Sequence, residues 1–254
     1  MRDAQVLEVL NRLVDEVAAS LSGLADWGLA GTRESQYRSD LVADEAALSV
    51  IEDAGFGAIS EESGVHHPDR EIIVVLDPVD GSTNASRRLP WWATSACAID
   101  SDGPLAAVVA NQATGNRFEA HRGGGARLDG ATLGNGGPIG PSACRSMQQA
   151  IVAVSGYPRR YLGWYQYRSL GAAALDICAV ATGSVDAFID CAGSSLAPWD
   201  YLGGILVCQE AGAFVTELSG RDLVVRDHGA RRTILAAGTP ELLEEARAAR
   251  GGLG

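Results

Sequence analysis

The stretch IIVVLDPVDGSTN, residues 72–84, constrains the fold of this chain more than any other. Its aliphatic run, Ile72 to Leu76, lacks the alternation of a half-exposed strand and therefore predicts a strand buried on both faces. Asp77 follows at once, so the strand delivers a carboxylate to the edge of a sheet. Pro78 fixes its own φ and lacks an N–H, which predicts a turn there. We therefore expect a buried central sheet with an acidic edge.

The residues after this strand are typical of a metal and phosphate site. Asp80 follows Asp77 by three positions, a spacing that predicts two carboxylates facing one point. Such a pair repels unless a cation lies between them, and oxygen ligands suit Mg²⁺. Gly81-Ser82-Thr83 adds a residue without Cβ, two hydroxyls and N–H groups at a predicted helix start, a cradle for an anion. An ordinary surface turn is the alternative, because Asp, Pro and Gly are all turn formers.

Two further acidic sites favour the metal interpretation. Glu61-Glu62 lies in AISEESG and Trp199-Asp200 in APWDYLGG, each after an apolar run. In order and spacing, SEESG, LDPVDGSTN and WDYLGGILVCQEAG resemble the signature motifs of the inositol monophosphatase family of metal-dependent phosphatases. The resemblance implies an α/β (α+β) fold, a layered αβαβα sandwich, and Mg²⁺-dependent hydrolysis of a phosphomonoester. The motifs identify the family and leave the substrate open.

The resemblance also implies roles for individual residues. It gives one Mg²⁺ the ligands Glu61, Asp77 and the Val79 carbonyl. It gives a second the ligands Asp77, Asp80 and Asp200. The phosphate would contact the backbone amides of Gly81, Ser82 and Thr83, and the Ser82 hydroxyl, which replaces a more usual threonine, would orient the attacking water. We expect Glu62 to lie behind these ligands or in solvent.

The upstream catalytic element departs from the family pattern, which has a lysine and then a threonine and an aspartate that assist the water and a further metal. This chain reads YRSDLVADEAA there. We assign the catalytic aspartate to Asp44, with Ala43 where a hydroxyl is expected. Asp40 is the competing candidate, and a solvated helix face is the alternative for Asp44. The number of Mg²⁺ ions, two or three per site, therefore stays open.

On the substrate side, Gly171 and Ala173 in RSLGAAAL resemble backbone contacts of the family, with tight helix packing as the alternative. Asp190 stands where a glutamate often binds a substrate hydroxyl. We expect a sugar or polyol phosphatase similar to inositol-1-phosphate phosphatases. Histidinol phosphate, fructose 1,6-bisphosphate and 3′-phosphoadenosine phosphate are alternative substrates. A degenerate member that binds a metabolite and regulates a partner is the alternative outside the enzymes.

The charge and the hydrophobic pattern of the chain limit the kinds of partner that it can bind. A formal net charge of −12 argues against a nucleic acid or an anionic membrane as partner, so a small phosphorylated metabolite would need a metal. No run reaches the ~18 apolar residues of a membrane span, and MRDAQVLEVLNRL predicts an amphipathic helix rather than a signal peptide. We therefore expect a cytoplasmic protein, and the family resemblance implies a homodimer.

The chain is expected to form an N-terminal half with the metal-binding motifs, residues 1–145, and a C-terminal half with Asp200 and the substrate side, residues 146–254. Hydrophobic periodicity and capping signals predict helices at 6–24, 40–55, 170–182 and 198–211, and an exposed final helix from 240. Apolar runs between turn signals predict strands at 56–60, 72–76, 93–99, 105–111, 117–121, 150–154, 185–190, 213–218, 223–225 and 233–237.

Overall fold

A computed structural model describes residues 2–32, 35–129 and 137–251 of the chain. The helices are α1 Arg2–Ser22, α2 Arg38–Asp53, α3 Ser82–Ser86, α4 Ala173–Ala181, α5 Pro198–Ala211 and α6 Pro240–Gly251. The first strands are β1 Gly57–Ser60, β2 Gly64–His66, β3 Ile73–Asp80, β4 Ala93–Asp100, β5 Gly103–Asn111, β6 Arg117–His121, β7 Gly125–Asp129 and β8 Gly137–Pro138. The later strands are β9 Ile151–Ser155, β10 Gln166–Arg168, β11 Ala187–Asp190, β12 Phe214–Glu217 and β13 Ile234–Ala237.

These strands form two sheets that separate the helices into layers. The first sheet has the order β2-β1-β3-β4-β5-β6-β7-β8 and the second the order β10-β9-β11-β13-β12. Helices α1 and α2 contact the outer face of the first sheet, α4 and α5 lie between the sheets, and α6 contacts the outer face of the second. This arrangement confirms the predicted αβαβα sandwich. The largest buried cluster contains residues of both sheets, so the division at residue 145 stays a prediction.

The predicted stripe on α1 is buried as expected, through Val6, Leu10, Leu13, Val17 and Leu21. Helix α2 leaves Leu41 exposed and buries Asp40 and Asp44 together with small and branched residues. That buried face holds Ala43, Ala47, Val50 and Ile51. An acidic pair therefore faces inward at the start of α2.

Helix α5 is the central element of the middle layer. It begins at Pro198 and ends before Gly212, as the capping signals predict, and ten of its 14 residues are buried. A Cβ on Gly203 would lie 2.9 Å from Ser95 Oγ, and one on Gly204 would lie 2.8 Å from Ile177 Cγ2. These two glycines therefore let the helix approach the first sheet on one side and α4 on the other.

Three local predictions are corrected. Residues 223–225 form no strand, and the Leu223 carbonyl accepts a hydrogen bond from the Tyr201 hydroxyl at 2.9 Å instead of joining a ladder. Helix α6 is half-buried, through Leu242, Leu243 and Ala246, rather than exposed. Strands β2, β7, β8 and β10 were not predicted. Among the described residues, no helix combines the length and the apolar character needed to cross a membrane.

Candidate metal centre

The acidic edge of the first sheet depends on an irregularity in β3. Asp77 pairs with Ser95 and Asp80 with Ala93, so β3 holds one residue more than β4 over this interval. Side chains three positions apart in a regular strand point to opposite faces, and one extra residue brings them to the same face. The turn predicted at Pro78 is therefore wrong. The strand continues through Asp80 with a bulge, and Thr94 Oγ1 donates to the Pro78 carbonyl at 2.9 Å.

Three carboxylates converge at this edge. Glu61, Asp77 and Asp200 each offer an oxygen, and these oxygens lie within 4.8 Å of one another. Glu61 follows β1, which runs parallel to β3 with Ser60 opposite Leu76, so both strands end at the same edge. Asp200 comes from the first turn of α5, where its Oδ2 accepts a hydrogen bond from the Ala197 amide at 2.6 Å.

The electrostatics of this cluster favour a bound cation. Burial raises the pKa of Asp77 well above its ordinary value, and the adjacent charge of Glu61 adds to the effect. Burial, reinforced by Asp80, raises the pKa of Asp200 to about 7. A cation between the carboxylates would offset both the repulsion and the loss of solvation. Because all the donors are oxygens, the set fits a hard ion such as Mg²⁺.

Asp80 lies beside this cluster with its carboxylate directed at the start of α4. Its Oδ1 accepts from the Ala173 amide at 3.2 Å and its Oδ2 from the Ala174 amide at 2.8 Å. Burial raises the pKa of Asp80 to about 8. Each carboxylate oxygen retains a second lone pair, so a metal contact is compatible with these bonds. The ligand role of Asp80 stays a prediction, and the Ala173 amide, predicted to contact substrate, already has an acceptor.

The predicted phosphate cradle begins at a residue that only glycine suits. Gly81 has φ 85°, and a Cβ there would lie 3.0 Å from the Gly171 carbonyl oxygen and 3.2 Å from that of Trp91. Helix α3 begins at the next residue, Ser82. The Thr83 hydroxyl lies 3.3 Å from the Tyr37 hydroxyl.

A cavity of about 280 Å³ opens beside the acidic cluster. Its lining residues come from both halves of the chain: Ser35, Asp40, Glu61, Glu62, Val79, Ser82, Trp199, His228 and Arg231. Glu62, predicted to lie behind the ligands or in solvent, lines the cavity and accepts a hydrogen bond from Gln36 Nε2.

The two candidates for the upstream aspartate occupy different places. Asp40 lines the cavity, and its Oδ2 accepts from the Tyr37 amide at 2.8 Å at the start of α2. Asp44 lies one helical turn further on, outside the cavity lining, and accepts a hydrogen bond from the Ser60 hydroxyl. Ser60 Oγ in turn accepts from the Glu62 amide at 3.2 Å. Asp40 therefore lies at the cavity and Asp44 at the end of β1, and the catalytic role of either residue stays a prediction.

Comparison with known proteins agrees with the site. The sequence profile described as the inositol monophosphatase family matches residues 30–251. The chain belongs to this family. It is 30% identical over 259 residues, 96% of this chain and 99% of the relative, to a fructose-1,6-bisphosphatase/inositol-1-monophosphatase of Archaeoglobus fulgidus. Family membership makes the chain a phosphatase and confirms the resemblance of its motifs.

Other relatives have a different name. The Nus factor SuhB of Escherichia coli is 34% identical over 199 residues, which cover 70% of this chain and 71% of that protein. The solved structure of the extragenic suppressor protein suhB from Bartonella henselae superimposes with a TM-score of 0.80 at 25% identity, covering 97% of this chain and 98% of that one. These likenesses extend over most of the fold and name no substrate.

The predicted substrate contacts are not brought to the cavity. Asp190 is fully buried, and its Oδ1 accepts from the Ala192 amide at 2.9 Å within the loop that follows β11. Gly171, with φ 89°, lies against Asn84, whose Nδ2 donates to the Leu170 carbonyl at 2.7 Å. Both residues hold local backbone in this structure, so their contact with substrate stays a prediction.

Three residues of the cavity lining, Ser35, His228 and Arg231, lie outside the site that the sequence predicts. His228 and Arg231 lie in the segment between β12 and β13, where part of the chain was predicted to be a strand. The His228 ring is tilted over Trp199 at 4.6 Å between centroids, and Arg231 Cζ lies 5.3 Å from the centroid of the Trp199 ring. No periodicity or motif marks a loop residue that reaches a site from another sheet.

Proposed function

We propose that this phosphatase is Mg²⁺-dependent and hydrolyses a small sugar or polyol phosphomonoester, with inositol 1-phosphate as the first candidate. The convergence of Glu61, Asp77 and Asp200 beside a cavity that Ser82 also lines carries the proposal. A cavity of about 280 Å³ has the size of a site for a small metabolite.

The acidic residues would hold the metal, and the cavity residues would position the reacting groups. Glu61, Asp77 and Asp200 would bind Mg²⁺, with the Val79 carbonyl and Asp80 as further ligands. When bound, the ion supplies the charge that phosphate-ester hydrolysis needs at the attacking and leaving oxygens.

The water would be oriented by groups of the protein. Asp40 and the Ser82 hydroxyl line the same cavity, and we assign this task to them. The Gly81, Ser82 and Thr83 amides would donate to the phosphate oxygens. Asp44, the earlier candidate, would act through Ser60.

The substrate itself is less constrained. The Archaeoglobus relative is named for both fructose 1,6-bisphosphate and inositol monophosphate, so both esters are candidate substrates here. Histidinol phosphate and 3′-phosphoadenosine phosphate remain further candidates. The relative named as a Nus factor motivates the regulatory alternative, which the intact carboxylate cluster disfavours.

Phosphate release from a panel of these esters and an aryl phosphate, with Mg²⁺ and with EDTA, tests the proposal. Asp77→Asn and Asp200→Asn each remove a charge from the cluster, and we expect both to lose most activity and to weaken Mg²⁺ binding measured by calorimetry. Asp69→Asn, in an exposed loop before β3, is the matched control. Near wild-type turnover of either variant at low Mg²⁺ would contradict the ligand assignment. If the wild type releases phosphate from no ester of the panel but still binds a metabolite, the regulatory alternative would be favoured.

A further inference from the structure

Arg231 is held rigidly at the wall of the cavity. Its Nη1 donates to the His228 carbonyl at 3.0 Å and to the Ala230 carbonyl at 2.8 Å. Its guanidinium also lies over Trp199, with Cζ 5.3 Å from the ring centroid. Two carbonyls and an aromatic face together fix a planar cation that would otherwise sample many rotamers.

The loop that carries Arg231 is itself attached to the acidic edge. His228 Nε2 lies 3.0 Å from the Ser60 carbonyl oxygen, at the end of β1 and directly before Glu61. The His228 ring packs on Trp199, directly before Asp200. The position of Arg231 is therefore coupled to two of the three clustered carboxylates.

The remaining donors of Arg231 have no acceptor within the described parts of the chain. Its Nε and Nη2 form no hydrogen bond there, and its guanidinium forms no ion pair with a described carboxylate. The neighbouring arginines differ. Arg221 pairs with Glu217 at 2.6 Å, and Arg232 donates to the Asp222 carbonyl at 2.7 Å.

We propose that Arg231 is an anion-binding residue of this site and donates to oxygens of the substrate phosphoryl group and of the phosphate product. This inference rests on the proposed function for the class of ligand. A guanidinium that served only to neutralise the acidic cluster would pair with one of its carboxylates. An oxyanion held between the metal ligands and Arg231 would instead satisfy both free donors in the bidentate geometry that arginine prefers.

Binding of inorganic phosphate to the Mg²⁺-loaded protein tests the inference by calorimetry. We expect Arg231→Gln to weaken phosphate binding roughly tenfold to a hundredfold, the usual effect of losing a charge-assisted hydrogen bond. Arg231→Lys keeps the charge without the planar fork, so we expect an intermediate affinity and, in turnover, a raised KM with less change in kcat. Arg232→Gln, next in the chain and outside the cavity lining, should bind phosphate as the wild type does.

A parallel titration with Mg²⁺ alone distinguishes anion binding by Arg231 from a role in which Arg231 only neutralises the acidic cluster. If Arg231→Gln binds phosphate as tightly as the wild type, with or without tighter Mg²⁺ binding, the inference is overturned. Failure of the wild-type protein to bind phosphate also overturns it. If no ester in the panel is hydrolysed but phosphate binding still depends on Arg231, the inference stands and only the proposed substrate class fails.

Discussion

Replacing Glu217 with glutamine should destabilise the loop that carries Arg231, because this carboxylate organises the start of that loop. Glu217 is 2% exposed and ends β12. It accepts hydrogen bonds from the Ser219 amide at 2.7 Å and from Arg221 Nη2 at 2.6 Å. Burial raises its pKa, but the bonds from Arg221 and from the loop amides outweigh burial and lower the pKa to about 2.

The size and the pH dependence of the effect follow from this shift. A fall from the ordinary 4.5 to about 2 corresponds to ~3 kcal/mol of stability at neutral pH. Since the folded-state pKa is the lower one, this contribution is complete above the unfolded-state pKa. It is lost as the pH falls from about 4.5 toward about 2. Glu217→Gln should therefore unfold ~3 kcal/mol more easily at pH 7, and the difference from wild type should shrink to roughly 1 kcal/mol at pH 3.

Urea denaturation of wild type and variant at several pH values between 3 and 7 measures this difference directly. Glu244→Gln on the exposed side of α6 is the control, and its stability should match the wild type throughout. A loss for Glu217→Gln that is below ~1 kcal/mol at pH 7, or that stays constant with pH, would refute the reasoning. Phosphate affinity provides a second readout, since a looser loop should also weaken binding through Arg231.

Three further outcomes are expected. Gly81→Ala should lower the free energy of unfolding by ~2 kcal/mol or more and abolish most activity, because it adds a clash to an unfavourable φ. Gly55→Ala, where φ is 73° and the space is open, should lower it by only ~1 kcal/mol. Equal losses of the two variants in thermal unfolding and in turnover would contradict this. Asp190→Asn should lower the melting temperature and reduce kcat/KM uniformly across esters, because the carboxylate holds the loop after β11. A loss confined to polyol phosphates would instead support the predicted contact of Asp190 with substrate. Sedimentation velocity at micromolar concentration should show a homodimer, and a purely monomeric profile would refute that prediction.

The sequence predicts best where one residue type has a single structural meaning. Pro198 and Gly212 mark the start and stop of α5, and the uninterrupted aliphatics before Asp77 mark a buried strand, because these signals act locally. The convergence of Glu61, Asp77 and Asp200 was accessible for the same reason, since each follows or opens a recognisable element.

The remaining features depend on contacts between distant segments. The bulge in β3 arises from register against β4, which no property of residues 77–80 alone reveals. Asp40 and Asp44 both lie on the buried face of α2, and only the packing of that helix against the other segments places Asp40 at the cavity. Arg231 reaches the cavity only because His228 and Trp199 hold its loop against the opposite sheet.

The glycine pair in α5 links the core to the chemistry in a way that matters for engineering. Gly203 and Gly204 let this helix lie close to its neighbours, and the same helix carries Asp200 toward Asp77. Filling either position with a methyl group, a common route to a more stable protein, would thicken the middle layer by tenths of an ångström. That displacement is comparable with the tolerance of metal coordination, so under the proposed function a variant selected here for heat resistance would be altered in metal affinity as well.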